Sequence, residues 1–356
     1  MIILGIESSC DETAAAVVCN TKNTEARILS NVVLSQVEEH SLYGGVVPEI
    51  AARAHLESVD YLISEAMTSA NLSFNDLDGI AATGGPGLIG GVIVGVMAAK
   101  ALASHSKKPF IAVNHLEGHA LTARLTSNVE FPYLLLLVSG GHCQLLVVKG
   151  IGNYERLGTT LDDALGEAFD KCAKMMGLGY PGGAIVEARS IAGDGSRFNL
   201  PRPMLGRKEC HFSFSGLKTA VRRQIEKLGS DNLNDQDVAD LCASFQLAVG
   251  DVLMDRCRNA LNQFRNLYPN GNTLVVAGGV AANQALGDRL LELEKSENIC
   301  LIVPPAKLCT DNAAMIAWAG LERLRLGSSD SLDFKPRPRW PLDPDALPAI
   351  GAGVKA

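Results

Sequence analysis

The sequence lacks paired cysteines, an unbroken hydrophobic run and any leading targeting segment. Its nine cysteines are scattered and no two form a C-x-x-C pair, so we expect reduced thiols rather than a disulfide framework or a cysteine-based zinc knuckle. The most apolar stretch, residues 88–102, is interrupted by glycine and is shorter than the roughly 20 residues that span a bilayer. Met1 leads directly into a strand pattern without a basic segment. These absences predict a cytoplasmic protein with no membrane segment.

An excess of positive charge is also missing. The formal net charge is -7, so a nucleic-acid ligand would need a local basic patch. At 356 residues, with 47% hydrophobic and 20% charged residues, the chain has the size and composition of a two-domain α/β enzyme. We predict an N-terminal lobe (residues 1–132), a C-terminal lobe with a helical insertion (133–340), and a flexible tail rich in Pro, Ala and Gly (341–356).

Histidine is scarce, yet two of the seven histidines, His115 and His119, fall within five residues. The apolar residues 111–113 predict a strand that ends just before them. On a helix, residues i and i+4 share one face, so both imidazoles can reach one metal ion. Glu117 lies about 200° around that helix from His115, so the general base of the H-E-x-x-H motif is missing and a protease is not supported. The alternative is two helix-start histidines without a ligand.

A third ligand has to come from a distant part of the chain, and Asp311 is our candidate. It precedes an alanine-rich apolar stretch, and Thr310 or Asp311 is expected to start the helix there. Two imidazoles and one carboxylate leave coordination positions open, which suits Fe²⁺ or Zn²⁺ holding a substrate or phosphate. The alternative is that Asp311 is only a first-turn acid favoured by the helix dipole.

A strand–turn–strand pattern begins each half of the chain. The first consists of residues 2–19, with a turn of small and acidic residues, and the second of residues 133–148, with the turn 139–142. Small residues let backbone N–H groups approach phosphate oxygens, although plain hairpin turns explain the same pattern. We expect Gly140 or Gly141 to adopt a positive φ, because the turn must reverse the chain between two apolar strands.

Two glycine-rich turns each join a strand to a helix, at residues 84–91 and 278–283. A helix N-terminus at such a turn suits anion binding. The first turn matches neither G-x-x-x-x-G-K-[ST] nor a clean G-x-G-x-x-G. With the two hairpins, these turns indicate a duplicated lobe and the parts of an actin-like or sugar-kinase-like nucleotide cleft.

Seven stretches together resemble the bacterial TsaD (Gcp) family of tRNA threonylcarbamoyladenosine transferases. The resemblance extends from residue 1 to about residue 339 and leaves out only the tail. The stretches are GIESSCDET at 5–13, HLEGH at 115–119, VSGGH at 138–142, DALGEAFDK at 163–171, YPGG at 180–183, FSFSGLK at 212–218 and GGVAAN at 278–283.

The resemblance implies a two-lobed, actin-like ATPase fold of the α/β class. The implied reaction transfers threonylcarbamoyl from threonylcarbamoyl-AMP to N6 of adenosine 37 in tRNAs that read codons starting with A. The implied cofactors are a divalent metal on His115, His119 and Asp311, with Fe²⁺ favoured over Zn²⁺ or Mg²⁺, and ATP, ADP or the intermediate in the cleft. The implied partners are tRNA, a TsaB-like paralogue, a TsaE-like P-loop ATPase and a TsaC-type synthase. The implied nucleotide contacts are Leu137, Val138, Ser139, Gly140, Gly141, Asp170, Gly183 and Asn283, with Glu187 as a further candidate.

Some roles and two other function classes stay open. Asp11 or Glu12 is suited to taking the N6 proton or orienting the donor, and we assign no general base. A small-molecule kinase of the same fold would need no paired histidine ligands. An Hsp70-like binding module would need a substrate-binding domain, for which we expect no room after residue 320. A basic cluster fits tRNA phosphates or a solvated face equally well; it consists of Arg202, Arg207, Lys208, Lys218, Arg222 and Arg223.

Overall fold

The computed structural model describes residues 1–20, 26–229 and 233–349. They divide into two compact units. The first unit contains Met1–Glu130, Ile151–Asn153 and Thr310–Pro344. The second contains Phe131–Gly150, Tyr154–Cys309 and the described residues from Asp345 onward.

The first unit is built on a five-stranded sheet of β1 (Ile2–Glu7), β2 (Glu12–Cys19), β3 (Arg27–Ser35), β4 (Gly79–Gly85) and β5 (Phe110–Asn114), in the order β3-β2-β1-β4-β5. Strands β1, β2 and β3 form an antiparallel meander, β4 is parallel to β1 and β5 is parallel to β4. The central strands read as continuous apolar runs because helices cover both faces. These helices are α1 (Val37–Ser41), α2 (Pro48–Ser69), α3 (Ile89–Ser106), α4 (His115–Ser127) and α11 (Ala313–Arg325).

The second unit has a five-stranded sheet of β6 (Tyr133–Val138), β7 (Cys143–Gly150), β8 (Asn153–Thr159), β9 (Thr273–Ala277) and β10 (Cys300–Ile302). Its helices are α5 (Leu165–Met175), α6 (Gly182–Ser190), α7 (Ser215–Leu228), α8 (Asp235–Leu267), α9 (Gln284–Glu297) and α10 (Ala306–Cys309). The long helix α8 starts at Asn234, whose side chain accepts a hydrogen bond from the Asp237 backbone in a capping box.

The two sheets have the same strand order. The second reads β8-β7-β6-β9-β10, with β6 antiparallel to β7 and parallel to β9, and so repeats the first sheet strand by strand. The predicted duplication of the lobe is confirmed. Strands β3 and β8, the third strand of each meander, were not part of the prediction.

The unit to which α11 belongs differs from the prediction, which assigned residues 133–340 to the second lobe. The helix packs on β1 in the first unit instead. A Cβ atom on Gly5 would lie 2.5 Å from the Ala313 carbonyl oxygen and 2.5 Å from the Ala317 nitrogen, so the helix backbone rests directly on the strand. An apolar helix face does not specify which of two similar sheets it covers, and for that reason the pattern alone misplaced it.

The segment that follows α11 stays with the first unit as far as Pro344. The rings of Phe334 and Trp340 lie 5.9 Å apart, and the side chain of Leu342 is buried. The predicted flexible tail is therefore packed at its second residue. Its last part, residues 350–356, lies outside the described residues.

Helix α3 is the one helix among the described residues that is long and apolar enough to cross a membrane by length and composition. It has the contacts of a core helix, because Val92, Val96 and Ala99 are fully buried and it packs on β4 and α2.

The cysteines give a first testable prediction. All nine are free thiols, and burial raises the pKa of Cys172, Cys242 and Cys257 to about 12. Because the thiolate is the nucleophile, we expect iodoacetamide at pH 8 to modify the exposed Cys300 in the native protein and these three only after denaturation. Peptide mass spectrometry measures the modification, and equal labelling of Cys242 and Cys300 in native protein would contradict the burial.

Candidate metal centre and nucleotide cavity

The predicted helix after β5 is present, and it places the two histidines together. Helix α4 begins at His115, directly after the N-cap residue Asn114, whose side-chain oxygen accepts a hydrogen bond from the Leu116 backbone at 2.9 Å. The rings of His115 and His119 meet edge to face, with centroids 4.8 Å apart. The spacing argument for a shared face is therefore correct.

Asp311 completes the cluster. Its Oδ1 atom lies 3.0 Å from Nε2 of His119 and 3.4 Å from Nε2 of His115. The expectation that Thr310 or Asp311 starts the following helix is wrong, because the N-cap of α11 is Asn312, whose side chain accepts from the Met315 backbone at 3.1 Å. The Asp311 carboxylate faces the two histidines instead of capping the helix.

The donor set fits a divalent ion. One ligand atom from each of the three residues lies within 4.8 Å of the others, and two imidazoles with one carboxylate form an open site typical of Fe²⁺ or Zn²⁺. Burial lowers the pKa of His115, but the charges of Asp311 and Glu7 outweigh it and hold that pKa well above its ordinary value. Burial likewise raises the pKa of Asp311, whereas His115 and His119 hold it well below its usual range. Charge compensation is already built into the cluster.

Glu117 points away from this cluster, as the helical geometry predicts. Its side chain is fully buried and accepts a hydrogen bond from Nε of Arg323 at 2.8 Å. The acid is therefore part of an ion pair between α4 and α11. This agrees with the rejection of a protease.

The first hairpin turn carries the two acids proposed as base or donor-orienting group. Burial raises the pKa of Glu12 to about 10, with further contributions from Asp311 and Asp11, to which Glu12 is hydrogen-bonded. At neutral pH the Asp11–Glu12 pair therefore holds a proton on Glu12. A neutral carboxyl group donates a hydrogen bond and cannot accept a proton.

The second unit contains a cavity of about 280 Å³. Of the predicted nucleotide contacts, Gly140, Asp170, Gly183 and Asn283 line it, as does Glu187. The other lining residues are Gly166, Phe169, Ala184, Gly279, Val280 and Ala282.

The remaining predicted contacts lie in or next to β6. Leu137 and Val138 are buried strand residues, and neither they nor Ser139 and Gly141 line the cavity. A role for them in ligand binding stays a prediction.

Two lining side chains also make structural hydrogen bonds. Oδ1 of Asp170 accepts from the Gly182 backbone at 2.7 Å. Asn283 caps α9 by accepting from the Leu286 backbone and donates to Gln246. Asn283 is therefore the N-cap of α9, and any ligand contact would be additional to this role.

The expectation of a positive φ at Gly140 or Gly141 is wrong. Neither is among the positive-φ glycines, and a Cβ atom on either would meet no atom within 4 Å. The turn closes through Ser139, whose backbone donates to the His142 carbonyl and whose hydroxyl accepts from the His142 backbone. The space is limited at two other glycines: a Cβ on Gly278, at φ +97°, would lie 2.3 Å from the Val138 carbonyl oxygen, and one on Gly166 would lie 2.8 Å from Cα of Gly140.

Sequence reasoning placed the turn at residues 278–283 in the predicted nucleotide cleft, but it missed Gly166 and did not single out the 3-10 turn Gly279–Ala282 as a lining element. A signal was available for both, since each lies in a stretch that carries the family resemblance. Their place in the cavity depends on how α5 and the turn after β9 pack around the hairpin. That packing is not encoded in local sequence spacing.

Comparison with known proteins agrees with the resemblance. A family model described as TsaD, tRNA N6-adenosine threonylcarbamoyltransferase, matches residues 27–318. A protein of that name from Rhodospirillum rubrum is 64% identical and covers 99% of this chain and 98% of its own length. Another from Brucella anthropi is 61% identical with the same coverage. These relatives favour the transferase over the kinase and Hsp70-like alternatives.

Solved structures show the fold. The HypF protein of T. kodakarensis matches with a TM-score of 0.60 at 15% identity, over 92% of this chain and 48% of that one. The activator of the 2-hydroxyisocaproyl-CoA dehydratase from Clostridium difficile, with bound ADPNP, matches with a TM-score of 0.50 at 14% identity, over 92% and 97%. The fold is the two-lobed actin-like ATPase fold of the α/β class, as predicted.

The metal cluster predicts a loss of bound metal in ligand variants. We expect His119→Ala and Asp311→Asn each to weaken Zn²⁺ binding by at least the roughly 10–100-fold that loss of an outer-shell partner alone costs. Chelator competition and elemental analysis measure the affinity and the metal content. His105→Ala is a matched control because His105 is exposed on α3, and full metal retention in both ligand variants would rule out the site.

The cavity predicts different effects for the two adjacent glycines of the hairpin turn. Both have open space for a side chain, but only Gly140 lines the cavity. We expect Gly140→Val to weaken binding of a non-hydrolysable ATP analogue by about tenfold, or 1.4 kcal/mol, with little change in melting temperature. Gly141→Val is the comparison, and we expect a smaller loss of affinity because Gly141 does not line the cavity. Calorimetric titration beside thermal melts separates binding from folding, and wild-type affinity in both variants would exclude this turn from the site.

Proposed function

Because this chain belongs to the tRNA N6-adenosine threonylcarbamoyltransferase family, we propose that it transfers threonylcarbamoyl from threonylcarbamoyl-AMP to N6 of adenosine 37 in tRNAs that read codons starting with A. The observation that carries the proposal is 64% identity over nearly the full length of a protein of that name. The metal cluster and the cavity supply plausible places for its chemistry.

The reaction is an acyl transfer from an activated carbonyl, with AMP as the leaving group. Positioning and charge stabilisation should dominate such a step, because the donor is already activated. We assign the phosphate and nucleoside of the donor, or of ATP or ADP, to the cavity of the second unit. There the backbone of Gly140 and Gly183 leaves room for the ligand, and Asp170 offers a carboxylate oxygen suited to ribose hydroxyls.

We assign a divalent ion to His115, His119 and Asp311, with Fe²⁺ as the first choice. A bound ion would supply Lewis-acid and templating chemistry at a phosphate or carbonyl oxygen. With an ion bound, the three side chains would supply two neutral nitrogen donors and one charged oxygen. The two histidines are buried and Asp311 is partly buried, which holds the donors in place.

We assign the proton-accepting role to the Asp11–Glu12 pair as a unit. Its two carboxyl groups are hydrogen-bonded and Glu12 retains the proton at neutral pH. That single proton lies in the hydrogen bond between Glu12 and Asp11, so it is not available to the substrate. Asp11 is then the member of the pair suited to accepting the N6 proton.

We assign tRNA phosphates to the basic cluster of the second unit. Arg202, Lys218 and Arg222 form ion pairs with Asp251, Asp163 and Glu226, which reduces their availability. The remaining members, Arg207, Lys208 and Arg223, are exposed. Phosphate contacts of this kind are independent of base sequence and weaken with salt.

We propose that the protein acts in the cytoplasm with a TsaB-like paralogue, a TsaE-like P-loop ATPase and a TsaC-type synthase that supplies the intermediate. We propose that the stretch at residues 48–67 forms part of the interface with the paralogue. Helix α2, which contains it, exposes Leu56 and Tyr61, and the adjacent α3 exposes Ile89, Ile93 and Met97. An exposed apolar face of this kind marks a binding surface for another protein.

Mass spectrometry of tRNA nucleosides tests the proposed function. We expect depletion of this protein to remove threonylcarbamoyladenosine from bulk tRNA, and a plasmid copy of the natural gene to restore it. A copy with Asp311→Asn should fail to restore it, whereas a His105→Ala copy should succeed. An unchanged level of the modified nucleoside after complete depletion would contradict the assignment.

A further inference from the structure

Glu7, the last residue of β1, is a fully buried acid to which the proposed chemistry assigns no role. Its Oε1 atom accepts a hydrogen bond from the Ser9 backbone at 2.6 Å. Its Oε2 atom accepts from the Thr83 hydroxyl at 2.5 Å and lies 2.9 Å from Nδ1 of His115. One carboxylate therefore contacts the first hairpin turn, the end of β4 and a predicted metal ligand.

These contacts match the protonation pattern that His115 needs as a metal ligand. The Ser9 N–H and the Thr83 hydroxyl both donate to Glu7, so its carboxyl group is arranged as a hydrogen-bond acceptor. An imidazole that binds an ion through Nε2 carries its one remaining proton on Nδ1, and that N–H faces Glu7 Oε2 at 2.9 Å. The Ser9 hydroxyl lies 3.1 Å from the same Nδ1 atom, so it can accept from the same N–H.

Nε2 is the atom of His115 that faces Asp311, at 3.4 Å. The tautomer that donates to Glu7 is therefore the one in which His115 can act as a metal ligand beside Asp311. In metal sites, a carboxylate on the distal nitrogen fixes the tautomer and ring orientation of a histidine and raises its basicity.

We propose that Glu7 is a positioning residue of the metal centre, which holds His115 as the Nδ1–H tautomer with Nε2 directed to the ion. This inference rests on the proposed metal binding by His115, His119 and Asp311. Through Oε1, the same carboxylate ties this ligand to the backbone of the turn at Ser9, so the first turn and the metal centre share one anchor.

The second histidine differs in this respect. Nδ1 of His119 is buried without a hydrogen-bond partner in the part of the chain that the structure describes. Its ring contacts Asp311 through Nε2 and the His115 ring edge to face. The role of Glu7 is thus specific to His115, and the metal centre is asymmetric in how its two imidazoles are supported.

Glu7→Gln tests the inference against two matched controls. Glutamine keeps the shape but replaces the charge and one acceptor with an amide donor. Thr83→Val removes another hydrogen-bond partner of the Glu7 Oε2 atom and leaves His115 unchanged. Glu117→Gln neutralises an acid on α4 that is as buried as Glu7 and forms an ion pair with Arg323. Zn²⁺ affinity by chelator competition and thermal melts of metal-free protein are measured for all three.

We expect Glu7→Gln to weaken Zn²⁺ binding by about 10–100-fold, and both controls to stay within about threefold of the wild type. An affinity within threefold for Glu7→Gln would overturn the inference. An equal loss of affinity in all three variants would also overturn it, because the effect would then follow from lost stability.

A measurement on the wild-type protein covers the case in which Glu7→Gln does not fold. Nitrogen–proton correlation spectra of the histidine rings in Zn²⁺-loaded protein report which nitrogen is protonated. We expect a slowly exchanging proton on Nδ1 of His115, assigned by its loss in His115→Gln. A proton on Nε2 instead would overturn the inference.

His119→Ala separates this inference from the proposed metal site. If the wild type and His119→Ala bind Zn²⁺ equally, the three-ligand centre fails, and the role of Glu7 fails with it. If His119→Ala loses Zn²⁺ but Glu7→Gln binds like the wild type, only the role of Glu7 fails.

Discussion

The buried charges of the first unit have to compensate one another, and the geometry of the proposed metal centre follows from this requirement. An isolated buried carboxylate is costly unless it is paired and hydrogen-bonded. Asp311 is paired with both histidines, and Glu7 with His115 and two further donors. Because the partners come from β1, α4 and the residue before the cap of α11, satisfying these charges fixes three segments that are far apart in the sequence.

The equivalent hairpin turns of the two sheets are stabilised in different ways. In the second unit, the turn between β6 and β7 is closed by its own serine, since Ser139 and His142 bond to each other through backbone and hydroxyl. In the first unit, the equivalent turn between β1 and β2 is anchored by the preceding strand residue, Glu7, through the Ser9 backbone. The turn of the second unit leaves its glycines with open space. The turn of the first unit is attached to a side-chain cluster.

Features with a local cause could be predicted from the sequence. The hairpins follow from apolar runs on both sides of a turn of small residues. The shared face of His115 and His119, with Glu117 opposite, follows from helical periodicity. Features that depend on distant partners could not. Glu7 and His115 are 108 positions apart. No local signal near α11 indicates which sheet the helix covers. The N-cap of α11 is Asn312, although Thr310 and Asp311 are equally suitable residue types. The prediction of a positive φ at Gly140 or Gly141 was wrong. The turn is closed by hydrogen bonds between Ser139 and His142 instead.

The contact between Gly5 and α11 lets a residue without a side chain affect the position of Asp311, a proposed metal ligand. Hydrogen at this position lets the helix backbone lie against β1, and Asp311 precedes the same helix by two residues. A methyl group there would displace the helix axis, and the carboxylate would move with it away from nitrogens held on α4. The spacing of the proposed metal ligands is therefore set partly by the thickness of one strand, at a position that has no side chain.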